Sequence, residues 1–558
     1  MAGMGYTLGE DGYFRRGGKR FVPVGANYWP ASCGVELWPA WPADEIRHDL
    51  DVLRGLGLNC IRFFLRWQDF EPEAGRYDEP SFARLGEFLG WCGERGIAAH
   101  PSLFVGWMSG GIFWPKWREE RNVFSDPFMV ERGVAFARRA AEAIAPHHDH
   151  VLAIDQGNEL CCLPDSHAAP PAAVIRWCGA VNRAVRETYP QAIIISGNEQ
   201  NQITGDTGWR FGQQPGCDLL SMHAYPVQAW HSISFDGLGD PLARSLLPFY
   251  VRCARAFAPV MAQEFGTIVT FGARQQDGYL RAMLPACWQA GANGFLWWCL
   301  KDIAARVHPY LKCGFESTLG LVDAAGKVKP GLEYYLEFAL SLPDRPAPAP
   351  EPAAIGIYWP RKYYPRDDQE NPGNDPHQLS RRLVIANHLL NQLGHTVRVV
   401  RGDEPLPADL TTLVVPGALL TVDEAEALDS WVRAGGRLVW HGPDPVNWGH
   451  AYCRLLGARP VDYRSPRAVE VQAFGARWPL AAFPRNMRVE LEPATARVVS
   501  RDGDGLPVVL VHRVERGSVA YALPMVENVP AAADRRDERD RWTAWLAGML
   551  ALVAEDAG

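Results

Sequence analysis

The sequence predicts two α/β domains, a (β/α)8 TIM barrel followed by a smaller doubly wound α/β domain. Two observations carry this prediction. Over residues 1–343, short apolar runs rich in branched side chains alternate with amphipathic stretches, giving eight strand-helix pairs. Strands that alternate with helices pair in parallel through right-handed crossovers, and eight such units close into a barrel. Beyond a proline-rich tract at 344–352, the alternation resumes on a smaller scale.

The predicted barrel strands are apolar runs too short for helices and suited to a parallel sheet covered on both faces. They are Phe21–Tyr28, Asn59–Leu65, Ile97–Phe104, Val151–Glu159, Ala192–Glu199, Leu219–Tyr225, Pro259–Phe265 and Gly294–Cys299. The stretches between them have the pattern of helices with one apolar face. The clearest are Asp44–Arg54, Ser81–Arg95, Phe128–Ala145, Ala172–Thr188 and Gln275–Ala290.

The tract RPAPAPEP, Arg345–Pro352, cannot continue a helix and favours an extended chain, so 344–352 is the predicted linker. The accessory domain, 353–558, has short buried strands at AAIGIYW, HTVRVV, TTLVVPG and GGRLVWHG, and later at ARVVS, PVVLVHRV and GSVAYALP. Its predicted helices are Ser380–Leu393, Asp423–Ala434 and a closing Asp537–Ala554. This alternation predicts a doubly wound, flavodoxin-like α/β fold.

Composition excludes several classes of partner. The chain has 558 residues, with 56 basic against 64 acidic side chains and a net charge of -8. This charge offers no basic stripe for a phosphate backbone, so we expect no nucleic-acid partner. No apolar run approaches a membrane span, and the N-terminus lacks the apolar core of a secretion signal, so we expect a cytoplasmic protein with no membrane partner. The twelve scattered cysteines indicate buried, reduced thiols rather than a disulfide framework.

Two glutamates each end a predicted strand. Glu159 ends strand four in VLAIDQGNEL, and Glu264 ends strand seven in PVMAQEFG. A parallel barrel carries its active site at the carboxyl ends of its strands, so we expect both carboxylates to face one substrate. A single glutamate at such a place could instead cap a helix or form a salt bridge. A second Asn-Glu pair, Asn198 and Glu199, ends strand five and is a direct competitor of Glu159.

With the strands placed, residues 1–343 resemble a clan A glycoside hydrolase, closest to family five. In that clan an Asn-Glu pair ends strand four, with the Glu as acid/base, and a Glu ending strand seven is the nucleophile; Asn158, Glu159 and Glu264 match this pattern. The string LVVPGALLTVDEAEALDSWVRAGGRLVWHG, within 383–442, is similar to the amidotransferase-like second domain of family forty-two β-galactosidases. This copy lacks the cysteine nucleophile of working amidotransferases.

The resemblance also implies the residues around the nucleophile. Arg62 in strand two and the His-x-Tyr after strand six, His223 and Tyr225, match residues that surround it in the clan, and Trp297 matches a strand-eight tryptophan. Since strand five takes no part in proton transfer in the family, we expect Glu199 to contact sugar or to be structural. Asn158 is suited to hold the 2-hydroxyl of the sugar.

The chemistry requires these residue types. Cleavage of a glycosidic bond needs a proton for the leaving oxygen and negative charge at the anomeric carbon, and in a retaining enzyme the two carboxyls lie about 5 to 5.5 Å apart. We expect Glu264 to be ionised, since Arg62 and the Tyr225 hydroxyl favour its charged form, and Glu159 to be protonated.

Sugars stack on indole rings, and the chain has 21 tryptophans. We expect Trp29, Trp67 and Trp297, near predicted strand ends, to form the floor and walls of the site. No cofactor or metal is expected, because the histidines of PHHDH match no zinc spacing and suit a helix end.

The function predicted is that of a retaining exo-β-glycosidase, first a β-mannosidase acting on short oligosaccharides. The near alternatives are a β-galactosidase and an endo-β-1,4-mannanase. From another class, the chain could be a carbohydrate-binding protein without catalysis. For the second domain we expect a role in a homo-oligomer, a dimer or trimer, or in closing the active site through Tyr363, Tyr364, Asp367 and Asp368.

Overall fold

The computed structural model describes residues 5–204, 209, 212–227, 233–267, 272–323, 325–348, 355–364, 376–442, 449–465, 468–480, 488–523 and 526–555. The chain divides into two compact units. The first comprises Met1–Val227 and Arg244–Pro348, and the second comprises Gln228–Ala243 and Ala349–Gly558. The sequence prediction placed all of 1–343 in one domain, whereas Gln228–Ala243 groups with the C-terminal unit. The exact ends of the domains and the linker stay a prediction.

Eight parallel strands form one sheet in the first unit. They are β1 Val24–Asn27, β2 Cys60–Phe64, β3 Ala98–Val105, β4 Ile154–Asn158, β5 Ile194–Ile195, β6 Leu220–His223, β7 Val260–Phe265 and β8 Ala292–Trp297. Neighbours follow the order β5-β4-β3-β2-β1-β8-β7-β6, and each pair is parallel. A parallel bridge between Ile195 and Leu219 joins the two ends of this order. The predicted (β/α)8 barrel is confirmed, and each predicted strand overlaps an observed one.

Helices follow the strands of this barrel. The longer ones are Ala43–Gly55, Glu79–Glu94, Pro127–Ile144, Pro171–Thr188, Pro241–Arg255, Ala273–Gln289 and Glu333–Ser341, and the shorter ones are Leu37–Ala40, Trp67–Phe70, Pro164–Ala168 and Asn201–Thr204. Local chemistry sets where two of them begin. The carboxylates of Asp78 and Asp126 accept backbone N–H groups of the first turn, and a proline follows each cap.

An antiparallel sheet of Tyr6–Leu8, Phe14–Arg16 and Lys19–Phe21 precedes the barrel. The side chains of Tyr6 and Phe14 share a buried apolar cluster with Cys60 and Ala98, the first residues of β2 and β3. This sheet therefore covers the amino ends of the strands, which leaves the functional site to the carboxyl ends.

The second unit contains a seven-stranded sheet. Its strands are β9 Ile355–Trp359, β10 Val397–Arg401, β11 Thr412–Val415, β12 Arg437–His441, β13 Arg497–Arg501, β14 Pro507–Val514 and β15 Gly517–Ala522. The order is β10-β9-β11-β12-β15-β14-β13; the first five strands are parallel, and β14 and β13 add antiparallel to that edge. This order is that of a doubly wound, flavodoxin-like sheet, as predicted.

The helices of this unit are Pro376–Gln392, Val422–Arg433, His450–Leu456, Asn528–Ala531, Arg536–Asp540 and Trp542–Ala554. Two antiparallel pairs, Ala458–Arg464 with Arg488–Pro493 and Val469–Ala473 with Ala476–Leu480, lie outside the main sheet.

A buried ion pair joins Gln228–Ala243 to the C-terminal part of the same unit. Nη2 of Arg539 lies 2.7 Å and 2.6 Å from the two carboxylate oxygens of Asp240, and its Nη1 donates to the carbonyl of Ser234. Both charged side chains are almost fully buried.

Within the described ranges, no helix is long and apolar enough to cross a membrane. The twelve cysteines all have free thiols.

Candidate active site

Glu264, near the end of β7, lies between two donors. The Tyr225 hydroxyl donates to its Oε1 at 2.6 Å, and Nη1 of Arg62 donates to its Oε2 at 3.2 Å. Burial raises the pKa of Glu264, and the nearby Glu159 adds to this, whereas Arg62 and the Tyr225 hydrogen bond lower it. The two donors therefore favour the ionised form of a carboxyl that burial alone would keep neutral.

Arg62 is fully buried, and side chains of β1 and β4 hold its guanidinium in place. Nε and Nη2 both donate to Oδ2 of Asp155, at 2.9 and 2.6 Å, and Nη2 also reaches Oδ1 of Asn158 at 2.8 Å. Nη1 donates to Oδ1 of Asn27 at 2.9 Å. With its donors aimed by these oxygens, the guanidinium is a fixed positive charge beside Glu264.

Glu159 follows β4 in a left-handed backbone conformation, with φ 48° and ψ 41°. This conformation is uncommon for a residue other than glycine and is typical of functional sites. One oxygen of Glu159, one of Glu264 and a ring nitrogen of His223 all lie within 4.8 Å of one another. Burial raises the pKa of Glu159 to about 7, against the opposing charge of Arg62. The predicted pair of carboxylates is thus brought together, one of them prone to keep its proton.

His223 lies between the two glutamates. Its Nδ1 is 3.0 Å from Oε1 of Glu159 and 3.5 Å from Oε2 of Glu264. The register between β6 and β7 shifts at His223, which is thereby paired with Glu264. Irregularities of this kind are common at barrel rims, where they change the direction of a side chain. Burial lowers the pKa of His223, so its ring is neutral near pH 7.

The structure places Asn158 and Glu199 in different surroundings. Asn158 lies beside Arg62, and its amide nitrogen donates to the carbonyl of Trp107. Glu199 contacts thiols instead: Sγ of Cys162 is 3.2 Å and Sγ of Cys161 is 3.7 Å from its Oε1. Glu199 is therefore not part of the cluster formed by Glu159, His223 and Glu264.

The three tryptophans expected to form the floor and walls of the site are all buried. Trp67 is fully buried among Phe104, Trp114, Trp117 and Phe136. Trp297 is 1% exposed, and its ring packs on Phe265 and Tyr335. Both rings pack against protein side chains, and a contact of either ring with sugar stays a prediction. Trp29 is also fully buried, stacked on Phe64 with ring centroids 5.1 Å apart, and Phe64 lies against the guanidinium of Arg62.

Three residues of the site were missed in the sequence. Trp298 packs edge-on against Phe64, and its Nε1 donates at 3.0 Å to Oε2 of Glu316, a buried carboxyl that also accepts from the Ser109 hydroxyl. Burial raises the pKa of Glu316 to about 7, and the charges of Glu264 and Glu159 act in the same direction. Asp155, which fixes Arg62, is the third. Asp155 stands four positions before Glu159 in DQGNE and could have been found as an inward-facing strand position.

The sequence also drew attention to the histidines of PHHDH and to four residues of the second domain. Among the described residues, titratable side chains cluster closely in two groups: Cys161 with Cys162 and Glu199, and Glu159 with His223 and Glu264. The histidines of PHHDH belong to neither group. Tyr363 and Tyr364 are buried in the second unit, where their hydroxyls bond to the backbone N–H of Leu419 and to Asp403; Asp367 and Asp368 lie outside the described residues.

Known proteins resemble the chain to different extents. A family model for a domain of unknown function, DUF4350, matches residues 385–528. Among curated proteins none matches this chain. The structure of the exo-β-1,4-mannosidase Op5Man5 from Opitutaceae bacterium strain TAV5 is 51% identical, with a TM-score of 0.93, over 98% of this chain and 99% of that chain.

Two further structures share the fold at lower identity. A GH5_18 protein from Streptomyces cattleya, in complex with GlcNAc, is 22% identical with a TM-score of 0.64, over 71% of this chain and 99% of that one. A catalytic mutant of Gan42B, a GH42 β-galactosidase from G. stearothermophilus, is 14% identical with a TM-score of 0.68, over 94% of this chain and 88% of that one.

Proposed function

We infer that this chain, which belongs to family five of the clan A glycoside hydrolases, is a retaining exo-β-mannosidase that removes terminal β-linked mannose from short oligosaccharides. The observation that carries the inference is the closeness of Glu159 and Glu264: one carboxylate oxygen of each lies within 4.8 Å of the other, with the His223 ring between them. Retaining enzymes hold their two carboxyls about 5 to 5.5 Å apart, whereas inverting enzymes need about 6.5 to 9.5 Å to admit a water.

In the proposed mechanism Glu264 is the nucleophile and Glu159 the acid/base. The Glu264 carboxylate attacks the anomeric carbon while Glu159 gives its proton to the leaving oxygen, so the glycosidic bond breaks as the glycosyl-enzyme forms. Glu159, now ionised, then takes a proton from a water that attacks the same carbon and releases the sugar. Arg62 and Tyr225 stabilise the Glu264 carboxylate before attack and after release.

The remaining site residues receive binding roles. Asn158 is proposed to hold the 2-hydroxyl, because one amide hydrogen remains after its bond to the Trp107 carbonyl. Trp29 and Trp298 flank Phe64, whose ring lies against the guanidinium of Arg62. Of these two rings, Trp298 is proposed for sugar contact, because it is 4% exposed whereas Trp29 is fully buried. Glu199 is proposed to act further from the reacting bond.

The choice of mannose and of exo-action rests on the similarity to an exo-β-1,4-mannosidase over nearly the whole chain. A β-galactosidase is the second candidate, because the GH42 fold match extends through both units. A panel of nitrophenyl β-glycosides separates the two. We expect the mannoside to be hydrolysed fastest. From reduced mannooligosaccharides we expect mannose and the correspondingly shortened reduced chain, with no release of larger fragments from the non-reducing end. Preference for the galactoside, or cleavage at internal bonds, would contradict the proposal.

The assembly and location of the protein are also proposals. We propose a homo-oligomer, a dimer or trimer, that uses the predicted accessory domain, residues 353–558, as its interface; light scattering of the purified chain tests it. The twelve free thiols support a cytoplasmic, reducing location. The net charge of -8 supports oligosaccharide rather than nucleic acid as the partner.

A further inference from the structure

A line of hydrogen bonds runs through the barrel interior and ends at Glu159. It starts at the backbone carbonyl of Ala153, which lies 2.9 Å from Nδ1 of His100. Nε2 of His100 lies 2.7 Å from Nε2 of Gln263, and Oε1 of Gln263 lies 2.8 Å from Nε2 of His223. Nδ1 of His223 lies 3.0 Å from Oε1 of Glu159. His100, Gln263 and His223 are at most 1% exposed, so their bonds are made to protein.

The first bond fixes the direction of the next two. A carbonyl oxygen only accepts, so Nδ1 of His100 carries a hydrogen. Burial lowers the pKa of His100 to about 4, so its ring is neutral and its Nε2 is a lone pair. The amide nitrogen of Gln263 must then face His100, which turns the amide oxygen toward His223. Nε2 of His223 therefore carries a hydrogen.

The same logic decides what His223 presents to Glu159. A neutral imidazole has one donor and one acceptor nitrogen, so a hydrogen on Nε2 leaves a lone pair on Nδ1. A lone pair at 3.0 Å from Oε1 of Glu159 forms a hydrogen bond only if the carboxyl carries the proton. An ionised Glu159 would set a lone pair against a negative oxygen, which is unfavourable in a buried site.

We propose that His100 and Gln263 are positioning residues that fix the tautomer of His223, so that its Nδ1 lone pair holds Glu159 in the protonated form required of the acid. This rests on the proposed function only in assigning the acid to Glu159. The relay itself moves no proton. After Glu159 gives its proton to the leaving oxygen, the lone pair faces a carboxylate, and this favours return of a proton from the attacking water.

Several other titratable or charged groups act on Glu159 and His223. They are Arg62 from β2, Asp155 from β4, Cys161 and Cys162 after β4, Tyr225 after β6, Glu264 from β7 and Glu316 after β8. Within this described set Arg62 is the cation, and its donors are engaged by Asp155, Asn27, Asn158 and Glu264. Glu264 and Asp155 disfavour charge on Glu159, but they also raise the pKa of His223, so burial is what keeps the His223 ring neutral. Oε2 of Glu264 lies 3.5 Å from the same Nδ1, and the Arg62 and Tyr225 donors favour the charge on that carboxylate.

Two substitutions in the full chain remove the constraint on the His223 tautomer and leave Glu159 and Glu264 unchanged. Gln263→Leu removes both amide contacts, and His100→Phe removes the anchor that orients the amide. In each variant His223 can place its hydrogen on Nδ1 and donate to an ionised Glu159. We expect the basic limb of the kcat/KM profile on an unactivated aryl glycoside to move down by about one pH unit or more. Gln156→Leu is the matched control, because Gln156 is a buried glutamine of β4 that bonds to Asn182 instead.

A substrate with a better leaving group distinguishes a positioning role of His100 and Gln263 from a purely structural one. A dinitrophenyl glycoside of the same sugar needs no proton from Glu159 in the first step, so its kcat/KM should change by no more than about twofold in both variants. Loss of activity on both substrates alike, or an unmoved basic limb, would overturn the proposal.

If the variants fail to fold, the tautomer of His223 can still be determined by NMR of the unsubstituted enzyme. In the unsubstituted enzyme labelled with ¹⁵N-histidine, the His223 signals, assigned by their loss in His223→Asn, should show hydrogen on Nε2 at the pH of activity. Hydrogen on Nδ1 would overturn the proposal. A chain that hydrolyses no glycoside would refute the proposed function, while this spectrum would still decide the relay.

Discussion

The Tyr225 hydroxyl donates a 2.6 Å hydrogen bond to Oε1 of Glu264, while the guanidinium of Arg62 reaches the other oxygen of the same carboxylate. Burial would otherwise favour the neutral carboxyl, because it raises the pKa of Glu264. A neutral carboxyl is not a nucleophile. The charge required for attack thus depends on these two donors.

Removal of the Tyr225 hydroxyl should weaken the nucleophile measurably. A hydrogen bond to a charged group contributes about 1.5 to 3 kcal/mol, so Tyr225→Phe should lower kcat/KM by about ten- to a hundredfold. Because the lost bond lowered the pKa of Glu264, the acidic limb of the pH profile should move to higher pH. Tyr335→Phe, which removes a buried hydroxyl bonded to the Gly25 carbonyl, is the control. An acidic limb that moved equally in both variants would contradict the assignment.

The pH dependence of kcat/KM should be bell-shaped. Glu159 works as the protonated acid and burial raises its pKa to about 7, so activity should be full below that pH and fall as pH rises through it. Glu264 works ionised, so activity should also fall at acidic pH. In Glu159→Gln the basic limb should disappear from the residual rate on an activated substrate. A basic limb that persisted there would mean that another group is the acid.

The buried pair of Arg62 and Asp155 should matter for stability as well as for the site. Both side chains are fully buried, and the closest contact is 2.6 Å. Asp155→Asn leaves the guanidinium with less compensation, which should lower the free energy of unfolding by about 3 to 5 kcal/mol in urea titrations. The exposed pair of Arg95 and Asp51 is the comparison: Asp51→Asn should cost about 0 to 1 kcal/mol. Equal losses would show that burial of the pair is irrelevant.

The barrel and its two glutamates could be predicted because their signals are local. Short branched runs at regular spacing gave the eight strands, and the carboxylates of Glu159 and Glu264 stand at strand ends, where parallel strands bring them together. Side chains along a strand alternate between faces, so an error of one residue reverses the face. Trp297 was expected in the site because it matches a strand-eight tryptophan of the clan; its ring packs on Tyr335, whereas its neighbour Trp298 donates to Glu316.

Other features depend on contacts that no local pattern contains. Trp67 stands next to a strand end, yet the aromatic residues that bury it come from β3, a loop and a helix. The line from His100 through Gln263 to His223 joins three strands. The grouping of Gln228–Ala243 with the C-terminal unit depends on a pair, Asp240 and Arg539, that is 299 positions apart in the chain.

The central claim is that Glu264 is the nucleophile and Glu159 the acid/base. The most direct test adds azide and dinitrophenyl β-mannoside to one variant of each residue and determines the configuration of the mannosyl azide that forms. Glu264→Ala should give the inverted α-mannosyl azide, because azide replaces the nucleophile. Glu159→Ala should form the glycosyl-enzyme and give the retained β-mannosyl azide. Proton NMR distinguishes the two products. The same configuration from both variants, or a fully active Glu159→Ala beside a Glu199→Ala that requires azide, would contradict the account.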